Sequence, residues 1–391
     1  MILIAATVRG AVAGLSGVLL AVYLALRGLD ASEVGFVVSA GLAGMMAGTA
    51  LVTFAGDRIG RRRLMLAFTL LAAGGLIALA LLDGLLPLAL AAFAGTVNGI
   101  GRDRSPAQVL DQALLADHSD PLSRTAVFVR YTLLQDVGAA LGALAAGAPA
   151  VLAAVTTLPT VAAYRWVLAL AGALTLASAA AYATLPTDPP LARLAAPAPN
   201  RRMPRRAYRL ASLFALDSLG GGFLAGSILA YWFFRRHGLA AAELALLFAA
   251  ARVLNAASYF AAERLARWIG LVRTMVFTHL PSSAVLILLP FVPLPAAIGL
   301  FLVREALVQM DVPTRQSYVT AVIEPEDRTA ALGLAGLARN TGWTIGPALA
   351  GVAMTGLGIA APLFIGAGLK MAYDVALFAS FRSVRPAEEI V

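Results

Sequence analysis

The chain has no cysteine, and its three histidines, His118, His237 and His279, are scattered. Disulfides, thiolate metal sites and cysteine nucleophiles are therefore excluded, and a histidine-rich metal cluster is not expected. Charge is scarce as well, at 13% of 391 residues, while 60% are hydrophobic. A soluble domain carries about a quarter charged residues, so this composition excludes an ordinary soluble enzyme. The mean hydropathy of +0.83 agrees. Lysine is nearly absent, Lys370 being the single one among 30 basic residues, and aromatics reach only 8%. No Ser/His/Asp or metal-ligand spacing emerges, so neither an enzyme nor a cofactor is expected.

What is present is apolar sequence in long runs. At about 20 apolar residues per spanning helix, the runs read as spans at 4–26, 33–56, 64–82, 87–114, 124–149, 160–184, 208–234, 243–263, 271–291, 295–320, 328–352 and 357–380. The first is long and carries Arg9 in its first half, which suits a spanning helix and not a signal peptide. Twelve spans put both termini on one side. The +9 formal charge would suggest nucleic acid until the arginines are placed: seventeen lie at or beside the even connections and the C-terminus, against Arg27, Arg165, Arg235 and Arg236 at the odd ones. The positive-inside rule then places both termini in the cytoplasm, and the bilayer, not nucleic acid, is the expected partner.

Residues 185–207, with repeated prolines and arginines, cannot continue a helix and read as a cytoplasmic linker. They divide the chain into an N-terminal six-helix half, 1–184, and a C-terminal half, 208–391. The halves repeat. Sliding by 204 aligns 111–147 with 315–351 at 10 of 37 positions, including the shared acid-Pro-x-x-Arg-Thr-Ala of Asp120 to Ala126 and Glu324 to Ala330. An offset of 208 matches Gly14 with Gly222 and Tyr23 with Tyr231; after a short insertion, Gly28, Leu29 and Glu33 match Gly238, Leu239 and Glu243. Two similar halves of the same orientation are what a rocking transporter needs.

The connection between spans two and three, Gly56-Asp57-Arg58-Ile59-Gly60-Arg61-Arg62, resembles the Gly-x-x-x-Asp-Arg-x-Gly-Arg-Arg signature of the major facilitator superfamily, with Thr53 where the signature opens on Gly. Glu263-Arg264-Leu265-Ala266-Arg267 is a decayed copy in the second half. Gly342-x-x-x-Gly346-Pro347 and Gly138-x-x-x-Gly142 are similar to the glycine motif of that superfamily's proton antiporters. The resemblance covers the whole chain. It implies an all-α membrane protein of twelve transmembrane helices in two pseudo-symmetric six-helix bundles, acting by alternating access.

Ionisable residues within spans are functional candidates because each is expensive at bilayer depth. Arg9 and Asp217 are equivalent under the 208 offset, as are Asp111 and Arg315 under 204, and each pair has opposite charges. We expect Arg9 and Asp217 to face each other in the substrate and proton pathway, and Asp111 and Arg315 to gate between the halves. A fixed structural ion pair is the plainer alternative for Arg9 and Asp217. Arg104, Asp136, Arg252, Asn255, Arg304, Glu305, Arg339 and Asn340 complete the expected pathway, with Asp217 and Asp136 as the titrating carboxylates. Asp57, Arg58, Arg61 and Glu263 join the gate, although the arginines also set topology. Arg104 with Asp111, Arg304 with Asp311, and Lys370 with Asp374 have helical spacing and read as neutralising pairs. His279 reads as a packing hydrogen bonder before a proton relay. Nine basic against seven acidic residues within the spans favour an anionic or zwitterionic cargo, exported by a proton-coupled monomer of a bacterial inner membrane. A multidrug antiporter for lipophilic cations, a lipid flippase and a non-transporting sensor remain as alternatives.

Overall fold

The computed structural model describes residues 1–117, 119, 124–184, 205–311, 314, 315, 318, 323 and 328–381, and among them all regular structure is helical. The first half holds α1 (Ile2–Leu26), α2 (Ala31–Ile59), α3 (Arg61–Leu81), α4 (Leu85–Ala94), α5 (Pro106–Asp117), α6 (Arg124–Ala145), α7 (Ala148–Val155) and α8 (Thr160–Ala183). The second holds α9 (Arg205–Phe223), α10 (Gly226–His237), α11 (Ala241–Ile269), α12 (Leu271–Leu288), α13 (Leu294–Val308), α14 (Arg328–Leu357) and α15 (Ala361–Phe381). Nine segments among the described residues are long and apolar enough to cross a membrane. The expected linker lies almost wholly outside the described residues, as does the side chain of Asp57.

Two helix starts show the repeat in local chemistry. Asp30 caps α2, its Oδ1 accepting from the Glu33 amide at 2.9 Å, while Glu33 Oε2 accepts from the Asp30 amide at 2.9 Å. At the matched position Glu243 accepts from the Ala240 amide at 2.8 Å. Each satisfies backbone donors that a helix start leaves unpaired. The Ser32 hydroxyl and the Glu33 amide hold the exposed Asp30 carboxyl below the usual carboxylate range.

The glycine motifs are packing surfaces. A Cβ on Gly142 would meet the Ala11 carbonyl oxygen at 1.8 Å, and one on Gly14 the Ala139 oxygen at 2.1 Å, so α1 and α6 touch backbone to backbone. The second half repeats this, with Gly342 and Gly346 against α9 at Leu219 and Gly222. Small residues allow this close approach where apolar burial gives no drive between lipid-bathed helices.

The expected continuous span 87–114 is broken. α4 closes with the Val97 amide on the Ala92 carbonyl and the Thr96 amide on Phe93, a Schellman pattern with Thr96 at φ 47 where glycine is usual. The chain then stays unwound until Pro106 starts α5. Asn98 replaces the lost helical bonds, accepting from the Ile100 amide at 2.8 Å and donating to the Arg102 carbonyl. Gly95 lies so close to Gly75 that a Cβ would meet its Cα at 2.6 Å. Three glycines, an asparagine and a proline within twelve residues outweigh the hydropathy that made this stretch look like one helix. The expected span 208–234 likewise splits into α9 and α10.

Cα packing separates two compact units. Unit 1 comprises Met1–Leu194, Ala225–Ala249 and Pro347–Ile359; unit 2 comprises Ala195–Leu224, Ala250–Gly346 and Ala360–Val391. Within unit 1, α10 rests on the first half: the Ser227 amide donates to the Gly99 carbonyl at 2.9 Å, and Gly226 packs on the Ile100 and Gly17 carbonyls. There too the Ala348 amide, the donor next to Pro347 in α14, finds Ser39 Oγ of α2 at 2.8 Å.

Candidate functional site

In unit 1 the polar centre is Arg9 on α1. Its Nε donates to Asp103 Oδ2 at 3.0 Å, its Nη2 to Asp111, and its Nη1 to the Tyr182 hydroxyl. Asp111 is fully buried and also accepts from Tyr131 and Tyr182, both at 3.3 Å. Gln135 Nε2 donates to Asp103 at 3.0 Å and in turn accepts from Gln108. The unwound segment thus delivers Asp103 to Arg9, and α5 delivers Asp111. A cavity of about 60 Å³ adjoins this cluster, lined among others by Arg9, Ser16, Thr96, Asn98, Asp103 and Ser105. The Ser16 and Ser105 hydroxyls are buried without a hydrogen-bond partner among the described residues.

Unit 2 holds a longer chain of bonds. Asp311 Oδ2 accepts from Arg315 Nη1 at 2.8 Å, and that nitrogen lies 3.2 Å from Asp217 Oδ2. Asp217 Oδ1 accepts from Lys370 Nζ at 2.7 Å. Lys370 Nζ lies 3.3 Å from His279 Nε2, and His279 Nδ1 lies 2.9 Å from Asp374 Oδ1. All six side chains are buried. Gly220, one turn beyond Asp217, leaves room for the Lys370 stem, since a Cβ there would meet Lys370 Cγ at 3.0 Å. The Arg315 guanidinium also stacks over Phe214, 5.6 Å from its centroid.

A second cluster of unit 2 joins residues of α11 and α13. Buried Glu305 accepts from Asn255 Nδ2 at 2.7 Å and from Arg304, with the Arg252 cation in electrostatic reach. Arg339 on α14 is different. Its cation is within electrostatic reach of that of Arg315 and of Asp217 and Asp311, yet it makes no hydrogen bond or ion pair among the described residues.

The expected partners are therefore rearranged. Arg9 pairs with Asp111 within unit 1 and Arg315 pairs with Asp217 within unit 2: each symmetry-related position finds an opposite charge in its own half. Lys370 and Asp374 do not neutralise each other but reach Asp217 and His279. Arg304 turns to Glu305 and leaves Asp311 to Arg315, and Arg104 precedes α5 instead of lying on its face with Asp111. Glu263 forms an exposed pair with Arg267 on its own helix. Asp136 is half-buried on α6 with no ion-pair partner among the described residues, Asn340 is half-buried beside Arg339, and Arg58 is exposed. Arg252, Asn255, Arg304 and Glu305 do come together as a cluster. The parts of Asp103, Tyr131 and Tyr182, and the meeting of His279 with Asp374, were not foreseen. A lone lysine at mid-helix, four residues before an acid, was the available signal for the last two.

The profile of the Major Facilitator Superfamily matches residues 2–310. The chain belongs to the major facilitator superfamily. It is a multi-pass membrane protein. Over 146 residues it is 29% identical to an uncharacterized membrane protein of Saccharomyces cerevisiae, a match spanning 37% of this chain and 33% of that protein. Among solved structures it is similar to the nucleoside transporter NupG, with TM-score 0.75 and 13% identity over 97% of this chain and 98% of that one. The inward-open xylose transporter XylE from E. coli gives TM-score 0.75 and 14% identity over 100% and 98%. The human organic anion transporter MFSD10 gives 0.58 and 16% over 96% and 98%. At such identities these superfamily members share the fold with this chain.

Proposed function

We propose that the protein exports a small anionic or zwitterionic solute in exchange for protons, as a monomer in a bacterial inner membrane with both termini cytoplasmic. The observation that carries the cargo reading is Arg339. A guanidinium set beside a second arginine, without a carboxylate at ion-pair distance, is the donor arrangement that recognises a carboxylate or phosphate group. Nucleoside, sugar and organic-anion transporters all share this fold, so the cargo has to be argued from side chains. Export and proton exchange rest on the antiporter-like glycine motifs and on the buried acids around Asp217. Orientation rests on the arginine asymmetry, which sharpens when pairing is counted: Asp83 binds both Arg27 and Arg165 among the four arginines of the opposite face.

The test is thermal stability of the purified protein with benzoate, succinate or inorganic phosphate, against tetraphenylphosphonium. A bound anion at about 100 times its Kd stabilises by about 2.7 kcal/mol. Arg339→Gln should abolish that stabilisation and Arg339→Lys should keep part of it. Stabilisation by the phosphonium alone, or an anion effect unchanged in Arg339→Gln, would overturn the reading.

A further inference from the structure

The geometry points to His279, held between Asp374 and Lys370, as the residue that takes up the exchanged proton. This deepens the exchange reading above and rests on it. The imidazole lies in α12 and is buried. Among the described residues, the ionisable groups that face it belong to other helices: Asp374, Lys370 and the Tyr373 ring from α15, and Asp217 from α9. From α13, Arg304 and Glu305 are engaged with each other and with Asn255.

Distances assign the tautomer. Lys370 has only donors to offer, so His279 Nε2, 3.3 Å from Nζ, is the accepting nitrogen. The ring proton then sits on Nδ1 and is donated to Asp374 at 2.9 Å. The chain reads, in order, Asp311, Arg315, Asp217, Lys370, His279, Asp374. It holds three carboxylates against two fixed cations, with the Arg339 cation a third within electrostatic reach of its Asp311 to Asp217 end, so that Asp374 at the other end has His279 as its hydrogen-bond partner among the described residues. Histidine is the side chain whose ordinary charge change falls near neutral pH, so the ring beside Asp374 is the member of this chain suited to take up a proton.

That uptake has a mechanical consequence. A proton arriving from water bonds to the Nε2 lone pair and makes an imidazolium; no other bond is broken. Nε2 can then no longer accept from Lys370, and two cations face each other. The new Nε2–H has an acceptor within a short swing, Asp217 Oδ1 at 3.8 Å. Lys370 must yield that oxygen, and Asp217 in turn is the carboxylate that holds Arg315. Protonation at α12 thus alters which cation binds the α9 acid and, through Arg315, the surroundings of Arg339. Deprotonation reverses each step.

The experiment uses full-length protein, labelled with 15N-histidine and reconstituted in liposomes, where three histidines give a resolvable set of ring signals. His279→Gln identifies its own pair by subtraction. The expected wild-type result is an Nδ1–H tautomer at alkaline pH that converts to imidazolium in one step on acidification. A His279 ring that keeps one protonation state from pH 5 to pH 9, or one in the Nε2–H tautomer, overturns the assignment.

A second readout separates the site from the exchange reading. Ser39→Cys supplies the sole thiol in this chain, behind the Ala348 amide. Its labelling by an impermeant maleimide should depend on pH, and adding His279→Gln should flatten that dependence by about tenfold. Labelling that is flat with pH while His279 titrates overturns proton-linked alternation. Labelling that keeps its pH dependence in His279→Gln overturns His279 alone.

Discussion

At the residue scale, the two halves use one layout with the charges inverted. Arg9 with Asp111 in the first half corresponds, position for position, to Asp217 with Arg315 in the second. The sequence repeat made all four residues visible and made their equivalence visible too. It could not say which equivalents touch, because an offset relates positions between halves and carries no information about neighbours within one. Asp103 and the two tyrosines were invisible for a related reason: their reach to Arg9 depends on the unwound stretch before α5, which hydropathy does not show. The inverted pair makes a quantitative prediction. Removing one member of a buried ion pair costs about 3–5 kcal/mol because its partner is left uncompensated. Arg9→Met and Asp111→Leu should each lower the melting temperature, and the double variant should lose less than the sum by about 1–3 kcal/mol. Additive losses in a double-mutant cycle would show that Arg9 is held by Asp103 and the tyrosines alone.

At the element scale, what could be read was whatever local pattern sets. Long apolar runs, the caps at Glu33 and Glu243 and both glycine motifs stand where the repeat placed them. The break between α4 and α5 was missed, although Gly95, Asn98, Gly99, Gly101 and Pro106 signalled it, because hydropathy averages over such signals. Discontinuous membrane helices occur where backbone lines a cavity, and here the break lines the cavity beside Arg9. Thr96 at positive φ is the strained point of that segment. The glycine contacts are the sharper test of element packing. A Cβ on Gly142 would lie 1.8 Å from a backbone oxygen of α1, whereas one on Gly74 in α3 meets nothing within 4 Å. Overpacking of this kind costs about 1–3 kcal/mol, while an open helical position gains about 0.5–1 kcal/mol when Gly becomes Ala. Gly142→Ala should therefore lower the melting temperature and Gly74→Ala should hold or raise it. Equal tolerance would mean that α1 and α6 are not in backbone contact in the membrane.

At the scale of the whole molecule, orientation is decided by charge outside the spans. Seventeen arginines against four is a one-sided distribution, and two of the four share Asp83, which reduces their net contribution further. On the other face Arg62 donates to the Ala183 carbonyl, tying the start of α3 to the end of α8 just before the linker. Residues 201–206 carry four arginines within six positions, so translocating this segment would work against the strongest topological signal in the chain. Asn200 should accordingly lie on the same side as both termini. Because the protein has no cysteine, Asn200→Cys introduces a unique thiol into a stretch well removed from either ion cluster in sequence. In right-side-out vesicles an impermeant maleimide should leave it unlabelled, and in inverted vesicles it should label it fully. The reverse result would put the linker at the outer face and would overturn the cytoplasmic placement of the termini or the count of six spans before the linker, since a segment that follows six crossings must return to the side on which the chain began.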